Sequence, residues 1–107
     1  MMDLTKDNFE KYLKDGKPML VDFHAPWCPP CNKMSPTVDW IAEQYEDQVI
    51  VGKVNIDEQN EIAAKYNISA IPAFLFFDEN GNEVESIVGM QSKESLVLKL
   101  DKLLKKD

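Results

Sequence analysis

The sequence predicts an α/β protein built on a mixed central β-sheet with helices on both faces. Apolar runs typical of buried strands alternate with segments whose apolar residues recur at helical spacing, in the order α-β-α-β-α-β-β-α. Strands joined by helices should pair in parallel, whereas Asn80-Gly81 is a tight-turn signal that makes the last two strands antiparallel. We expect one domain over residues 1–107, because a chain of this length supports one hydrophobic core.

The first half of the chain predicts a short helix and two buried strands, with a longer helix between the strands. Thr5 is expected to cap the short helix and Gly16 to close it. Residues 18–24 form the first strand. The next strand, from Val49 to Asn55, is nearly all apolar, which indicates burial on both faces.

The second half predicts a helix, a hairpin and a last helix. Asp57 is expected to cap the helix, and Asn67 to end it in a left-handed conformation. The strongly apolar strand Ala73–Phe77 then turns back through a second strand that ends at Gly89. Ser92 caps the last helix, whose final lysines suit its C-terminal dipole.

Both cysteines of the chain lie where the first predicted strand meets the long helix. Cys28 and Cys31 stand in the stretch Trp27-Cys28-Pro29-Pro30-Cys31, and the helix runs on to about Glu46 with an expected kink at Pro36. A helix N-terminus favours negative charge, so we expect Cys28 to form the attacking thiolate. Cys31, one turn later, would face Cys28 and resolve the mixed disulfide.

Two other interpretations of this cysteine pair remain open. A structural zinc site needs four ligands, and the chain offers the two cysteines and a single histidine, His24. A structural disulfide more often joins distant segments, because closing so short a loop gains little entropy. We therefore expect a redox dithiol and no bound metal.

Composition and charge narrow the classes of partner. The net charge is −7 and all 12 basic residues are lysines. We expect no nucleic-acid partner, because phosphate and base contacts need a basic surface and favour arginine. The sequence has no apolar run of about 18 residues, so we expect no membrane span.

The N-terminus bears on localisation. Met1-Met2-Asp3-Leu4 lacks the charged and apolar regions of a signal peptide. We expect a cytoplasmic protein. The doubled methionine leaves an exported form with a trimmed leader as the alternative.

Two charged residues lie inside otherwise apolar strands. Burial raises the pKa of a carboxyl group such as Asp22 towards neutrality, which is the range that a general base needs. We expect Asp22 to take the proton of Cys31 through a water molecule, and Lys53 to tune it. The alternative for each is a paired surface charge at a strand end.

Three further residues have both a functional and a structural interpretation. Trp27 is expected to contact substrate at the rim of the site, with core packing as the alternative. Gly89 permits close approach of a substrate backbone or simply ends a strand. Trp40, on the long helix, is expected only to pack.

The motifs around the dithiol resemble those of the thioredoxin family over nearly the whole chain. The strand aspartate Asp22 lies upstream of a Trp-Cys-x-x-Cys stretch, and Ile71-Pro72 follows 41 residues after Cys31. The other stretches that carry the resemblance are Val21-Asp22-Phe23, Ala25-Pro26-Trp27, Lys53-Val54-Asn55-Ile56-Asp57, Tyr66-Asn67-Ile68, Phe74, Gly81 and Gly89.

This resemblance implies a thioredoxin fold and the reduction of protein disulfides. It implies a thioredoxin reductase as electron donor, drawing on NADPH, and no bound cofactor. Cys28 would be the exposed nucleophile and Cys31 the buried resolving thiol. Pro72 would be a cis-proline beside the dithiol, with the Ile71 backbone pairing to an extended client strand. The expected substrate surface comprises Trp27, Pro29, Pro30, Ile71, Pro72 and Gly89.

The chain departs from the usual thioredoxin pattern first within the dithiol. Pro29-Pro30 replaces Gly-Pro, which removes an N–H donor and stiffens the loop. Both changes favour the disulfide, so we expect a potential near or below that of ordinary thioredoxins, roughly −270 mV.

Three more departures lie outside the dithiol. His24 shares a strand face with Asp22 and is interpreted as a solvent-facing filler, with stabilisation of the Cys28 thiolate as the alternative. Ala73 replaces a hydroxyl residue, and the usual first strand is reduced to Met1–Asp3, which is expected to be frayed or missing.

The leading functional hypothesis is a general protein-disulfide reductase that acts as a monomer on disulfide-containing client proteins. One alternative is a dedicated, exported thioredoxin-like reductase, although the insertion typical of such proteins is missing. Another is a non-catalytic binding module that uses the groove beside Pro72.

Overall fold

The computed structural model describes residues 1–105 and contains a five-stranded sheet with helices on both faces. The strands are β1 (Met2–Asp3), β2 (Met19–His24), β3 (Ile50–Asn55), β4 (Ala73–Phe77) and β5 (Glu83–Val88). The helices are α1 (Phe9–Leu13), α2 (Pro29–Gln44), α3 (Asn60–Lys65) and α4 (Lys93–Leu104).

The sheet has the strand order β1-β3-β2-β4-β5, which places β2 at its centre. β3 pairs in parallel with both β1 and β2, because each connection between them runs through a helix. β4 pairs antiparallel with β2 and with β5. The predicted mixed sheet is therefore confirmed.

Two apolar clusters cover the two faces of the sheet. One joins alternate residues of β2 and β4, including Val21, Phe23 and Leu75, to α1 and α3. The other joins Leu20 and Phe76 to α2 and α4. Because both faces are covered, the residues of β2 from Met19 to Phe23 are all buried, as its apolar sequence predicts.

β1 is short but paired, contrary to the expectation of a frayed or missing strand. Met2 lies opposite Gly52, and the Leu4 N–H donates to the Lys53 carbonyl at 2.8 Å. A Cβ atom added at Gly52 would come within 2.6 Å of the Leu4 side chain. The missing side chain at this position therefore lets the end of β1 pack directly on β3.

Two predicted helix caps are wrong. α1 begins at Phe9 rather than after Thr5, because the Thr5 hydroxyl accepts from the Asp7 N–H within a preceding turn. α3 begins at Asn60, and Asp57 does not cap it because the Asn55 side chain accepts from the Asp57 N–H and holds that segment in a turn.

Other local predictions are confirmed. Asn67 has a φ of 58° after α3, and Gly81 has a φ of 82° in the turn between β4 and β5. The Ser92 hydroxyl caps α4 by accepting from the Ser95 N–H at 3.1 Å.

α2 ends at Gln44, two residues before the predicted end, and contains Pro36; the kink there stays a prediction. Within residues 1–105, no helix is both long and apolar enough to cross a bilayer.

Candidate active site

The two cysteines form a disulfide at the start of α2, with their Cα atoms 5.3 Å apart. Cys28 is the N-cap residue, and its sulfur accepts from the Cys31 N–H at 3.3 Å. Pro29 and Pro30 occupy the first positions of the helix, where proline is tolerated because those N–H groups have no partner within the helix. The first helical N–H available to the Cys28 sulfur is therefore that of Cys31.

Cys28 is not exposed in this oxidised form, contrary to what the resemblance implies. Only 4% of its surface is accessible, nearly the same as for Cys31. The two sulfurs are joined to each other, and the pair packs with Ala25 against Ile56 and Ile71. The disulfide is therefore largely shielded from solvent.

Asp22 is a buried carboxylate on the face of β2 that α2 covers, and only 4% of it is accessible. Burial raises its pKa from 3.8 to about 7; Lys53 opposes the change and Asp39 adds to it. Its Oδ1 has no hydrogen-bond partner within residues 1–105. The interpretation of Asp22 as a paired surface charge is therefore excluded.

Lys53 lies directly opposite Asp22 in the parallel β2–β3 pair. Its ammonium group forms an ion pair with Asp3 of β1, with 4.0 Å between Nζ and Oδ1. In its direct contact, Lys53 is therefore a surface charge paired with a surface partner, which is the alternative interpretation of this residue. Its charge still acts on Asp22, because it lowers the pKa of that carboxyl group.

His24 is not a solvent-facing filler, because it is half-buried and its Nε2 is shielded and without a hydrogen-bond partner among the described residues. Burial, reinforced by the Lys53 charge, lowers its pKa below 6.5, while Asp3 and Glu58 act in the opposite direction. The neutral form of the ring is therefore favoured. A neutral imidazole does not supply the cation that the alternative interpretation of His24 requires.

The rim of the site carries one large exposed aromatic side chain. Trp27 is 64% accessible, and its Nε1 donates to the Asp57 carboxylate at 2.7 Å. The core-packing interpretation of Trp27 is therefore wrong. The sequence patterns missed Asp57 as its partner, because the two residues are 30 positions apart and meet only through the fold.

The peptide bond between Ile71 and Pro72 is cis, as the resemblance implies. Ile71 packs against the cysteine pair, and Pro72 is buried beside it at the start of β4. The Gly89 N–H donates to the Pro72 carbonyl at 2.7 Å, and Gly89 has a φ of 96°. The loops before β4 and after β5 are thereby joined next to the dithiol.

Comparisons with known proteins agree with this geometry. Residues 1–102 match the family model described as Thioredoxin. The chain belongs to the thioredoxin family. It is 46% identical to Thioredoxin 1 of Synechococcus elongatus over 95 residues, which cover 89% of this chain and 88% of that protein. It is 40% identical to the thioredoxin of Alicyclobacillus acidocaldarius over 103 residues, covering 96% and 97% of the two chains.

A solved structure extends the similarity to the fold. A mutant thioredoxin from Halobacterium salinarum NRC-1 superposes with a TM-score of 0.90 at 27% identity, covering all of this chain and 92% of that one. The fold is therefore the thioredoxin fold. With its cysteine pair at disulfide distance, the chain is a thiol–disulfide oxidoreductase of the thioredoxin type.

Several features of this thioredoxin were not apparent from its sequence. Trp40 does more than pack, because the Lys93 ammonium lies 4.1 Å from the centre of its ring. Asp3 and Asp39 act on the charged groups near the dithiol from β1 and α2. No sequence motif marks these two aspartates, and Asp3 lies in the stretch that was expected to be frayed or missing. Within residues 1–105, no group of three or more His, Cys, Asp or Glu side chains is placed to hold a metal ion.

Proposed function

We propose that this thioredoxin reduces client disulfides with Cys28 as the attacking thiolate and Cys31 as the resolving thiol. In the first step, the Cys28 thiolate attacks one sulfur of the client disulfide. A mixed disulfide forms, and the other client sulfur leaves as a thiolate. In the second step, the Cys31 thiolate attacks the Cys28 sulfur and releases the second client thiol. The client gains two electrons, and the protein ends as the Cys28–Cys31 disulfide seen in the structure.

The observation that carries this assignment is the position of Cys28 at the N-cap of α2. Its sulfur accepts from the Cys31 N–H, and the aligned peptide dipoles of the sixteen-residue helix favour negative charge at that end. Cys31 follows within the first turn, so the two sulfurs reach each other without a rearrangement of the backbone. The cysteine at the helix end is the better nucleophile and leaving group.

We assign Asp22 as the base for the second step. Cys31 must lose a proton before it attacks, and both Cys31 and Asp22 are buried on the α2 side of the sheet. A carboxyl group with a pKa of about 7 is divided between its charged and neutral forms at neutral pH, so it both accepts and returns a proton there. Lys53 adjusts this balance, because its charge lowers the pKa of Asp22.

The client is proposed to bind across the surface between Trp27 and Ile71-Pro72. Trp27 supplies exposed apolar area, and Ile71 lies against the dithiol with part of its surface open. An extended client segment would pair with the Ile71 backbone, while Pro29 and Gly89 allow close approach on either side. Pro30 is half-buried and supports this surface from within the first turn of α2.

The electron supply is also a proposal. Members of the thioredoxin family work with a thioredoxin reductase and with disulfide-containing clients. We propose that this chain does the same as a cytoplasmic monomer, with electrons from NADPH reaching it through the reductase and no cofactor bound to the chain itself.

Insulin reduction by the purified protein tests these assignments. With NADPH and a thioredoxin reductase, we expect rapid turnover that is lost in Cys28→Ser. Cys31→Ser should stop at a stable mixed disulfide, detected as an adduct by mass spectrometry. Turnover only with a chemical dithiol would favour a dedicated reductase with another donor, and no turnover would favour a binding module. Attack by the other cysteine would instead give a trapped adduct in Cys28→Ser.

A further inference from the structure

Three charged residues lie side by side across three neighbouring strands of the sheet. Lys53 of β3 is in register with Asp22 of β2 on one side and with Asp3 of β1 on the other. Side chains of residues paired in this way lie on the same face of a sheet. We call Asp22, Lys53 and Asp3 the charge row. Its ammonium group is flanked by two carboxylates that compete for it.

The two carboxylates of the charge row differ greatly in their exposure to water. Asp22 is buried at the centre of the sheet, while the side chain of Asp3 is 78% accessible at its edge. The Lys53 side chain is 37% accessible, and its Nζ lies 4.0 Å from Asp3 Oδ1. An ammonium group that turns towards Asp22 would lose more of its hydration than one that stays beside Asp3.

We propose that Asp3 is a positioning residue of the redox reaction, which holds the Lys53 ammonium at the solvent side of the charge row and away from the Asp22 carboxylate. This proposal deepens the assignment of Asp22 as the base and rests on it. Lysine suits the role, because its charge sits at the end of a flexible four-carbon stem that reaches either neighbour. Without Asp3, the nearest carboxylate in the row is Asp22.

The effects of burial and of Lys53 on the pKa of Asp22 agree with an ammonium group that lies beside Asp3. Lys53 forms no ion pair with Asp22 within residues 1–105, and burial raises the pKa of Asp22 more than the Lys53 charge lowers it. A direct ion pair usually lowers the pKa of a carboxyl group by about 1–3 units. An Asp22 paired in that way would stay charged at pH 7 and would be a poorer acceptor for the Cys31 proton.

Other charged groups act on the row from the elements packed around it. Asp39 of α2 raises the pKa of Asp22. His24 of β2 responds to Lys53, Asp3 and Glu58, and its lowered pKa favours the neutral ring. None of these groups forms an ion pair with Lys53 within residues 1–105, apart from Asp3 itself. Asp3 is therefore the group whose removal should move the ammonium.

The test is the NMR titration of the Asp22 carboxyl carbon in selectively labelled, oxidised protein, where the cysteines do not titrate. In Asp3→Asn, we expect the Asp22 midpoint to fall by roughly half a pH unit, since exposed ion pairs have modest energies. Asp7→Asn is the matched control, because Asp7 is also exposed, lies four residues away and forms no ion pair within the described chain. It removes the same charge without touching Lys53.

Two further variants separate positioning from other effects of the substitution. Asp3→Glu keeps the charge and should keep the Asp22 midpoint of the unmodified protein. In a Lys53→Met background, Asp3→Asn should no longer move the midpoint, because the ammonium on which it acts is gone. Equal midpoints in Asp3→Asn and Asp7→Asn would overturn the proposal, and so would an effect of Asp3→Asn that persists in the Lys53→Met background.

Failure of this proposal is distinguishable from failure of the proposed function. The carboxyl titration reports the position of Lys53 whether or not Asp22 is the base. The pH profile of the resolving step, followed by release of a thiol from a preformed mixed disulfide, reports the role of Asp22. If Asp3 acts as proposed, Asp3→Asn shifts both the titration and this profile towards lower pH by the same amount. A shifted titration with an unshifted profile would reject the role of Asp22 and with it a role of Asp3 in the reaction.

Discussion

Replacing Asp22 with asparagine should stabilise the protein at alkaline pH and not at acid pH. The pKa of Asp22 is raised from 3.8 to about 7 by burial, so the folded state holds this proton more tightly than the unfolded state does. The contribution of Asp22 to the free energy of unfolding is therefore fully present below about pH 3.8. This contribution is lost as the pH rises through about 7, and it does not change further above that pH.

The size of this effect follows from the two pKa values. Each pKa unit corresponds to 1.36 kcal/mol, so the charged form of Asp22 costs about 4 kcal/mol relative to the neutral form. The asparagine amide of the variant carries no charge at any pH. The difference in unfolding free energy between Asp22→Asn and the unmodified protein should therefore increase by up to about 4 kcal/mol between pH 3.5 and pH 8.

The assay is urea unfolding of the oxidised protein at several pH values between 3.5 and 8. Comparing the change with pH, rather than one value, removes any constant cost of burying the asparagine amide. Asp47→Asn is the control, since Asp47 is exposed and its replacement should change stability by less than about 0.5 kcal/mol throughout. A difference for Asp22→Asn that is the same at pH 3.5 and pH 8 would refute the reasoning.

Three other substitutions test the site and the sheet. Trp27→Ala should raise KM for a protein client about 10-fold in steady-state insulin reduction, whereas an unchanged KM would remove Trp27 from the client surface. The reduction potential should lie near −270 mV, and Pro29→Gly should raise it by about 10–30 mV in a glutathione titration; a fall would contradict the proposed effect of the second proline. Gly52→Ala should lower the free energy of unfolding in urea by about 1–3 kcal/mol, because the new methyl group would clash with the Leu4 side chain. An unchanged midpoint of urea unfolding would show that β1 shifts to accommodate the methyl group at no cost.

The parts of the fold that could be predicted from sequence are those set by local patterns. The largely apolar runs of β2 and β4, the helical spacing after the dithiol and the Asn80-Gly81 turn each depend on residues close together in the chain. The caps predicted at Thr5 and Asp57 were wrong because both capping groups have other partners: the Thr5 hydroxyl holds a turn, and the Asp57 carboxylate accepts from Trp27. A side chain able to cap a helix is equally able to hold a turn.

The candidate site was predictable where chemistry and spacing coincide, and not where contacts cross the sheet. Cys28, Cys31 and Asp22 are marked by residue type within a strand–helix junction. The Asp57 partner of Trp27 and the Asp3 partner of Lys53 depend on strand order and register instead. No local sequence pattern specifies the strand order, so only the structure showed these contacts.

The cost of burying Asp22 is itself an argument about its role. A domain of this size has a total stability of about 5–15 kcal/mol, so about 4 kcal/mol at alkaline pH is a large share of it. A neutral side chain of similar size would fill the same space beneath α2 without that cost. Packing therefore does not explain a carboxyl group here, whereas a proton acceptor for Cys31 needs one with a pKa near neutrality. A direct ion pair with Lys53 would stabilise the charged form and remove that property, so an ammonium held at the edge of the sheet by Asp3 suits a base better than one bound to it.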